Sequence, residues 1–127
     1  MIMNPVIAAD PDRAGRVLSE AVRRIASAWN LSNAKLGAIL GLSAPTVWRM
    51  KGETYQLTAG SKSFELAQLL LRLFRSLDSF AGGDDRVSRA WLTNDNSDLG
   101  AKPVAMLDSI PGLMEVCHYV DGIRART

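Results

Sequence analysis

Apolar residues recur every three or four positions along most of the chain, which is the spacing of one face of an α-helix. Residues 10–29 predict an amphipathic helix of about five turns. Two shorter helices are predicted within residues 32–52, and a helix with a broad apolar face within residues 63–80. No run of alternating β-branched and aromatic residues lies between turn signals, so no strand is predicted. We therefore expect an all-α protein of about seven helices.

The first predicted helix separates apolar residues from arginines. The residues expected to be buried are Ala14, Val17, Leu18, Ala21, Val22, Ile25 and Trp29. The arginines on the outer face are Arg13, Arg16, Arg23 and Arg24. Such a face is either simply solvated or in contact with phosphate, and the residues leave both readings open. Residues 1–9, which precede this helix, are expected to form a loosely held arm.

The glycine pair in AGGDD, residues 81–85, is the best candidate for a domain boundary, because glycines break helices and aspartate caps them. We expect domains at residues 1–80 and 82–127. In the second, a helix should bury Val87, Ala90 and Trp91. A short helix should then begin at Pro103 and end at the Pro111–Gly112 pair. A last helix should bury Leu113, Val116, Cys117, Val120 and Ile123.

The segment SNAKLGAILGLSAPTVWRMKG, residues 32–52, predicts two short helices joined by a tight turn. Ser32 or Asn33 can cap the first helix, and Gly41 can adopt the left-handed conformation that ends it. Leu42 then fills the gap between the helices. The apolar face of this first helix consists of Leu36, Ile39 and Leu40.

The second short helix combines a capping serine with a proline in its first turn. Ser43 can accept a hydrogen bond from a free backbone N–H, and Pro45 lies where its missing N–H costs nothing. Val47 and Met50 should point inward. Thr46, Arg49 and Lys51 should point outward. Three basic residues and no acidic residue occur from Lys35 to Lys51.

These features resemble the DNA-binding segment of Xre/Cro-type repressors, in which the second helix lies in the major groove. The matching residues are Leu36, Gly37, Leu40, Gly41, Ser43, Thr46, Val47, Arg49 and Met50. Gly37 and Met50 depart from the usual alanine and tryptophan. The resemblance implies DNA contact by Lys35, Ser43, Ala44, Pro45, Thr46, Arg49 and Lys51, and a homodimer on paired half-sites of operator DNA. Any helical hairpin with a glycine turn is the alternative.

Charge and cysteine content narrow the class of protein. The net charge of +2 is modest, but residues 1–60 carry seven bases against four acids, whereas residues 61–127 carry eight against nine. The basic half contains the predicted reading helix. A single cysteine excludes an internal disulfide and suits a reducing compartment. No apolar run approaches the ~20 residues that cross a bilayer, so we expect a cytoplasmic protein without a membrane partner.

The C-terminal segment, from Trp91 onward, resembles the toxin-binding domain of the Xre/MbcA/ParS antitoxins. The matching residues are Trp91, Leu92, Asn94 or Asn96, Leu99, Gly100, Pro103, Leu107, Gly112, Val116 and Val120. The resemblance implies an antitoxin of a type II toxin–antitoxin operon, which represses its own promoter and blocks a RES-type toxin that consumes NAD or transfers ADP-ribose from it. The residues expected to bind toxin are Trp91, Leu92, Asn94, Gly100, Lys102, Pro103, Arg124 and Arg126.

Catalytic chemistry is not indicated. The only histidine, His118, follows the only cysteine, Cys117, and adjacent helical residues point about 100° apart. We therefore expect no enzyme activity, no metal site and no cofactor. Two alternatives to the antitoxin remain: a plain Xre-type transcriptional regulator whose C-terminal part dimerises or senses a ligand, and an interaction adaptor that no longer binds DNA.

Overall fold

The computed structural model describes residues 10–126, which form seven α-helices and no strand, as predicted. The helices are α1 (Pro11–Ala28), α2 (Asn33–Leu40), α3 (Ala44–Lys51), α4 (Lys62–Phe80), α5 (Asp85–Thr93), α6 (Pro103–Met106) and α7 (Ile110–Arg126). An isolated antiparallel bridge joins Asn96 and Ala101. The arm predicted at residues 1–9 lies outside the described residues. Within the described range, no helix combines the length and apolarity needed to cross a membrane.

Helix α4 is the centre of the fold. It packs against α1 and α2 and also, most extensively, against α7. The rings of Trp29, which follows the last residue of α1, and Phe74 in α4 lie 5.3 Å apart. In the other direction, the Cys117 Sγ atom of α7 lies 3.8 Å from the carbonyl oxygen of Leu69. Buried residues from the N-terminal and C-terminal helices therefore belong to one continuous hydrophobic core, and α4 is its shared wall.

Two polar contacts also connect the helix-turn-helix half to the C-terminal half. The Arg89 guanidinium of α5 donates to the carbonyl oxygen of Ala28 at the end of α1, at 3.1 Å from Nε and 2.8 Å from Nη2. Lys35 of α2 forms an ion pair with Asp108, at 2.7 Å between Nζ and Oδ1. These contacts fix α5 and the segment after α6 to the reading half of the protein.

Local capping chemistry sets the ends of the helices, with one difference from prediction. Asp10 accepts a hydrogen bond from the Arg13 N–H at 2.8 Å and caps α1. Helix α4 begins at Lys62 and is capped by Ser61, which accepts from the Phe64 N–H at 3.1 Å. Helix α4 therefore begins one residue before the predicted range of residues 63–80, and Ser63 lies within its first turn.

The buried face of α1 is rotated from the predicted one. Ala14 and Val17 are exposed, whereas Gly15 and Ser19 are buried. The cause is the segment after α3: a Cβ atom on Gly15 would lie 2.2 Å from the Leu57 carbonyl oxygen, and the Ser19 hydroxyl accepts from the Leu57 N–H at 2.8 Å. The backbone around Leu57 therefore lies directly on α1.

Three predictions for the C-terminal helices were also wrong. In α5, Ser88 and Leu92 face the core, while Val87 and Ala90 are exposed. The Pro111–Gly112 pair lies in the first turn of α7 and does not terminate the preceding helix. A Cβ atom at Gly112 would lie 2.0 Å from the Met106 carbonyl oxygen, so glycine allows α6 to approach this turn closely. Ile123, expected on the buried stripe, is partly exposed.

Candidate functional site

The predicted helix-turn-helix is present in the structure. Ser32 caps α2 by accepting from the Lys35 N–H at 3.0 Å, and α2 ends at Gly41, whose φ of 71° is left-handed. Ser43 caps α3 by accepting from the Thr46 N–H at 3.2 Å. The two helices pack through fully buried apolar side chains. These side chains are Leu36, Leu40, Val47 and Met50.

A chain of polar side chains runs along the first turns of α3. The hydroxyl oxygens of Ser43 and Thr46 are 2.8 Å apart, and the Arg49 Nη2 atom donates to Thr46 Oγ1 at 3.0 Å. A guanidinium carries five N–H donors, so this contact orients Arg49 and leaves donors for a phosphate or a base edge. Ala44 and Pro45, at the start of the same helix, are exposed.

The predicted basic residues at the ends of the helix-turn-helix have different surroundings. Lys35 is paired with Asp108, as described above, which directs its charge towards the C-terminal half. Lys51 donates to the Leu31 carbonyl oxygen at 3.4 Å and lines a cleft of about 360 Å³ together with Arg23. Arg23 was predicted on the outer face of α1, but it is partly buried and donates to the Met50 carbonyl oxygen at 3.2 Å. Lys51 and Arg23 thus form a basic cleft beside the end of α3.

Sequence reasoning assigned no role to Trp48, although its side chain is 68% exposed on α3. The signal was present in the sequence, because Val47 and Met50 fix the inward face and place residue 48 outside it. The other described tryptophans differ, since Trp29 is buried in the core and Trp91 is half-buried.

The predicted toxin-binding residues divide into surface and core positions. Leu92 is only 1% exposed and Pro103 is buried, so both are part of the core. Asn94, Gly100 and Lys102 are exposed in the segment that connects α5 to α6. We call residues 94–102 the connecting loop. The side chains of Leu92 and Pro103, both predicted to bind toxin, therefore have almost no exposed surface to offer a partner.

The connecting loop is held by hydrogen bonds that centre on Asn96. Its Oδ1 atom accepts from the N–H groups of Asp98 at 3.0 Å and Leu99 at 3.1 Å, while its backbone carbonyl accepts from the Gly100 N–H at 2.8 Å. Gly100 has a left-handed φ of 76°, which favours glycine. Of the two asparagines that fit the family pattern, Asn96 therefore organises the loop, whereas Asn94, which was expected to bind toxin, directly follows α5.

Tyr119 of α7 fastens this loop to the helical body. Its hydroxyl donates to Asp98 Oδ2 at 2.6 Å, and this hydrogen bond raises the pKa of Tyr119 above its ordinary value. Its ring stacks on Trp91, with centroids 6.2 Å apart and an interplanar angle of 23°. Sequence reasoning missed Tyr119 and Asp98, since they lie 21 residues apart and the spacing of neither indicated the contact.

The apolar residues of α5 extend this surface. Val87 is 47% exposed, Ala90 is exposed, and Trp91 lies on the same side of the helix. We call Val87, Ala90 and Trp91 the α5 face. Because contiguous exposed apolar residues mark interaction sites, the α5 face with the connecting loop and Tyr119 is the candidate partner-binding surface.

The two predicted C-terminal arginines lie on different sides of α7. The Arg124 Nη1 atom donates to the Ser76 hydroxyl of α4 at 3.2 Å. Arg126 is exposed, and its charge opposes the rise in the pKa of Tyr119. Arg126 therefore belongs near the candidate surface, whereas Arg124 contacts α4.

Within residues 10–126, no three His, Cys, Asp or Glu side chains are placed to hold a metal ion. Cys117 is buried, and burial raises the pKa of its thiol. His118 next to it is exposed. The thiol and the imidazole therefore lie in different environments on α7.

Comparison with protein families assigns both halves of the chain. Residues 8–72 match the family described as the antitoxin Xre-like helix-turn-helix domain. Residues 76–126 match the antitoxin Xre/MbcA/ParS C-terminal toxin-binding domain. Both descriptions are of binding domains, not of enzymes. A comparison with curated protein sequences finds no match.

Proposed function

The chain belongs to the antitoxins that join an Xre-like helix-turn-helix to an Xre/MbcA/ParS toxin-binding domain, and we propose that it neutralises a RES-type toxin. Such a toxin consumes NAD or transfers ADP-ribose from it. We further propose that the antitoxin represses its own operon in the cytoplasm by binding promoter DNA as a homodimer.

The observation that carries this proposal is the order of the two family matches along one short chain. A DNA-binding domain alone would fit any regulator, but here it is followed directly by a domain whose family binds toxins. The exposed side of α3 supports the DNA-binding half, because Arg49 is oriented by Thr46 and no acidic residue occurs from Lys35 to Lys51.

The candidate partner-binding surface supports the toxin-binding half. The α5 face presents apolar groups, and the connecting loop beside it is held in one conformation by Asn96 and Tyr119. A rigid surface loses little conformational freedom when a partner binds. We therefore propose that toxin contacts Val87, Trp91, Asn94, Gly100, Lys102 and Arg126.

Expression of the neighbouring open reading frame, with and without this chain, tests the proposal. We expect the neighbour alone to arrest growth and deplete NAD, and co-expression to restore both. The product should co-purify with the antitoxin. A harmless neighbour would contradict the antitoxin function, whereas growth arrest with neither NAD depletion nor an ADP-ribosylated product would contradict only the RES-type chemistry.

A pair of charge substitutions tests the surface. Val87→Lys places a charge in the α5 face and should reduce co-purification and rescue of growth. Val17→Lys is the matched control, because Val17 is 58% exposed on α1 and lies outside the surface. Equal behaviour of the two variants would remove α5 from the interface.

Binding to promoter DNA, measured together with the toxicity of the neighbouring product, distinguishes an antitoxin from a plain regulator. A DNA fragment from upstream of the operon should show a mobility shift with the antitoxin at low salt. A shift without any toxic neighbour would favour the plain regulator. No shift at low salt would contradict autorepression.

A further inference from the structure

Trp48 occupies the middle of the exposed face of α3. Successive helical residues are about 100° apart, so the inward direction of Val47 and Met50 puts Pro45, Trp48 and Arg49 on the opposite face. Trp48 and Pro45 are three residues apart and are therefore neighbours on the helix surface. Trp48 is more exposed than any other large hydrophobic residue in the described part of the chain.

An exposed indole adds little to the stability of the free protein, because apolar surface stabilises the folded state only when it is buried. Its neighbours indicate what covers it. Arg49 and Lys51 flank Trp48, and no acidic residue occurs within α3. A surface that combines an apolar centre with basic flanks is complementary to an anionic duplex whose groove carries apolar groups.

The apolar group in the major groove is the thymine 5-methyl. Ala44 and Pro45 have no side-chain hydrogen-bonding atom, and tryptophan has a single N–H donor. Ala44, Pro45 and Trp48 therefore offer mainly apolar contact to base edges. We propose that Trp48, with Pro45 beside it, reads a thymine in the operator through its methyl group. This inference rests on the proposed DNA-binding function.

The side chains of α3 then have different roles in binding DNA. Arg49, oriented by Thr46, supplies hydrogen bonds to a base or phosphate, and Lys51 supplies charge. Trp48 supplies discrimination between a base with a methyl group and one without. Contact with the methyl group requires no hydrogen bond. It selects thymine over cytosine, because cytosine has no methyl group at that position.

The experiment replaces thymidine by deoxyuridine, which differs only in lacking the 5-methyl group of the base. The protected half-site is first located by footprinting on the upstream fragment, and each thymine within it is then replaced singly. Affinity is measured by fluorescence anisotropy at one fixed salt concentration. For the wild type, we expect at least one replacement to weaken binding about fourfold, which is the contribution of one buried methyl-sized group.

The Trp48 variants complete a double-mutant cycle with the DNA. Trp48→Ala should weaken binding to the thymine site about tenfold. It should also become indifferent to deoxyuridine at the sensitive position. Trp48→Leu should retain part of the discrimination, because it keeps an apolar side chain. Phe80→Ala is the matched control, since Phe80 is 48% exposed but lies at the end of α4, outside the helix-turn-helix.

Each result of these binding measurements leads to a different conclusion. Binding that is equal for thymine and deoxyuridine at every position overturns the inference and leaves DNA binding intact. Full discrimination by Trp48→Ala overturns it as well, because another residue then reads the methyl group. Absence of wild-type binding at low salt overturns the DNA-binding function itself. Circular dichroism of each variant verifies that the helices are retained.

Discussion

Substitution of Leu73 by alanine tests whether the two halves of the protein unfold together. Leu73 is fully buried in α4. It lies between Leu69, whose carbonyl oxygen is near Cys117, and Ser76, whose hydroxyl donates to Asp121 at 3.4 Å. This spacing places Leu73 on the side of α4 that packs against α7. The substitution therefore opens a cavity between α4 and the C-terminal half.

The cost of such a cavity is about 2–5 kcal/mol, which is large against the ~5–15 kcal/mol that stabilise a typical domain. With a slope of ~2 kcal/mol per M of urea, the midpoint of unfolding should fall by about 1–2.5 M. Because the core is continuous, the free energy of unfolding should fall equally for the helices that flank the cavity and for those remote from it.

Tryptophan fluorescence follows the two halves separately. A Trp48→Phe/Trp91→Phe background leaves Trp29 at the end of α1 as the reporter, and a Trp29→Phe/Trp48→Phe background leaves Trp91 in α5. In both backgrounds Leu73→Ala should shift the midpoint by the same amount. Phe80→Ala, an exposed control on the same helix, should shift it little. A shift seen by Trp91 and not by Trp29 would refute the single cooperative core.

Three further outcomes follow from individual contacts. Arg49→Ala should weaken operator binding by about 1–3 kcal/mol in a mobility-shift titration, and an unchanged affinity would remove Arg49 from the reading role. Ultraviolet titration should show Tyr119 ionising above its ordinary pKa, and Asp98→Asn should reverse this. Since the folded pKa is raised, the associated stability is present at lower pH and is lost as the pH rises through that pKa. Cys117 should react slowly with a thiol reagent in the folded protein and quickly in urea, because it is buried and its pKa is raised; equal rates would contradict its burial.

The helix-turn-helix could be predicted from the sequence because its determinants are local. The caps at Ser32 and Ser43 and the left-handed glycine at Gly41 act within three or four residues of their partners. Val47 and Met50 follow the helical period, and both are buried as predicted. Short-range hydrogen bonding and periodicity are the two features that a single sequence displays directly.

The buried face of α1 could not be predicted in the same way. Which face of a helix is buried depends on the segment that packs against it, and here the backbone near Leu57 requires Gly15 and Ser19. Their partner is 38 residues from Ser19 along the chain. Apolar spacing therefore favoured Ala14 and Val17, although a close backbone approach determined the packing. The loop contact between Tyr119 and Asp98 was missed for the same reason, since it depends on tertiary structure.

The wrong prediction of the buried face of α5 concerns function as well as packing. Its sequence places apolar residues on more than one side: Leu92 enters the core with Ser88, while Val87 and Ala90 remain outside. A helix that only covered its own core would carry polar residues at those outer positions. Local patterns that disagree with the final fold concentrate at functional sites, because binding imposes its own demand on the sequence. The outward valine and alanine, next to the Trp91–Tyr119 stack, therefore favour the α5 face as the place where a partner protein completes the burial.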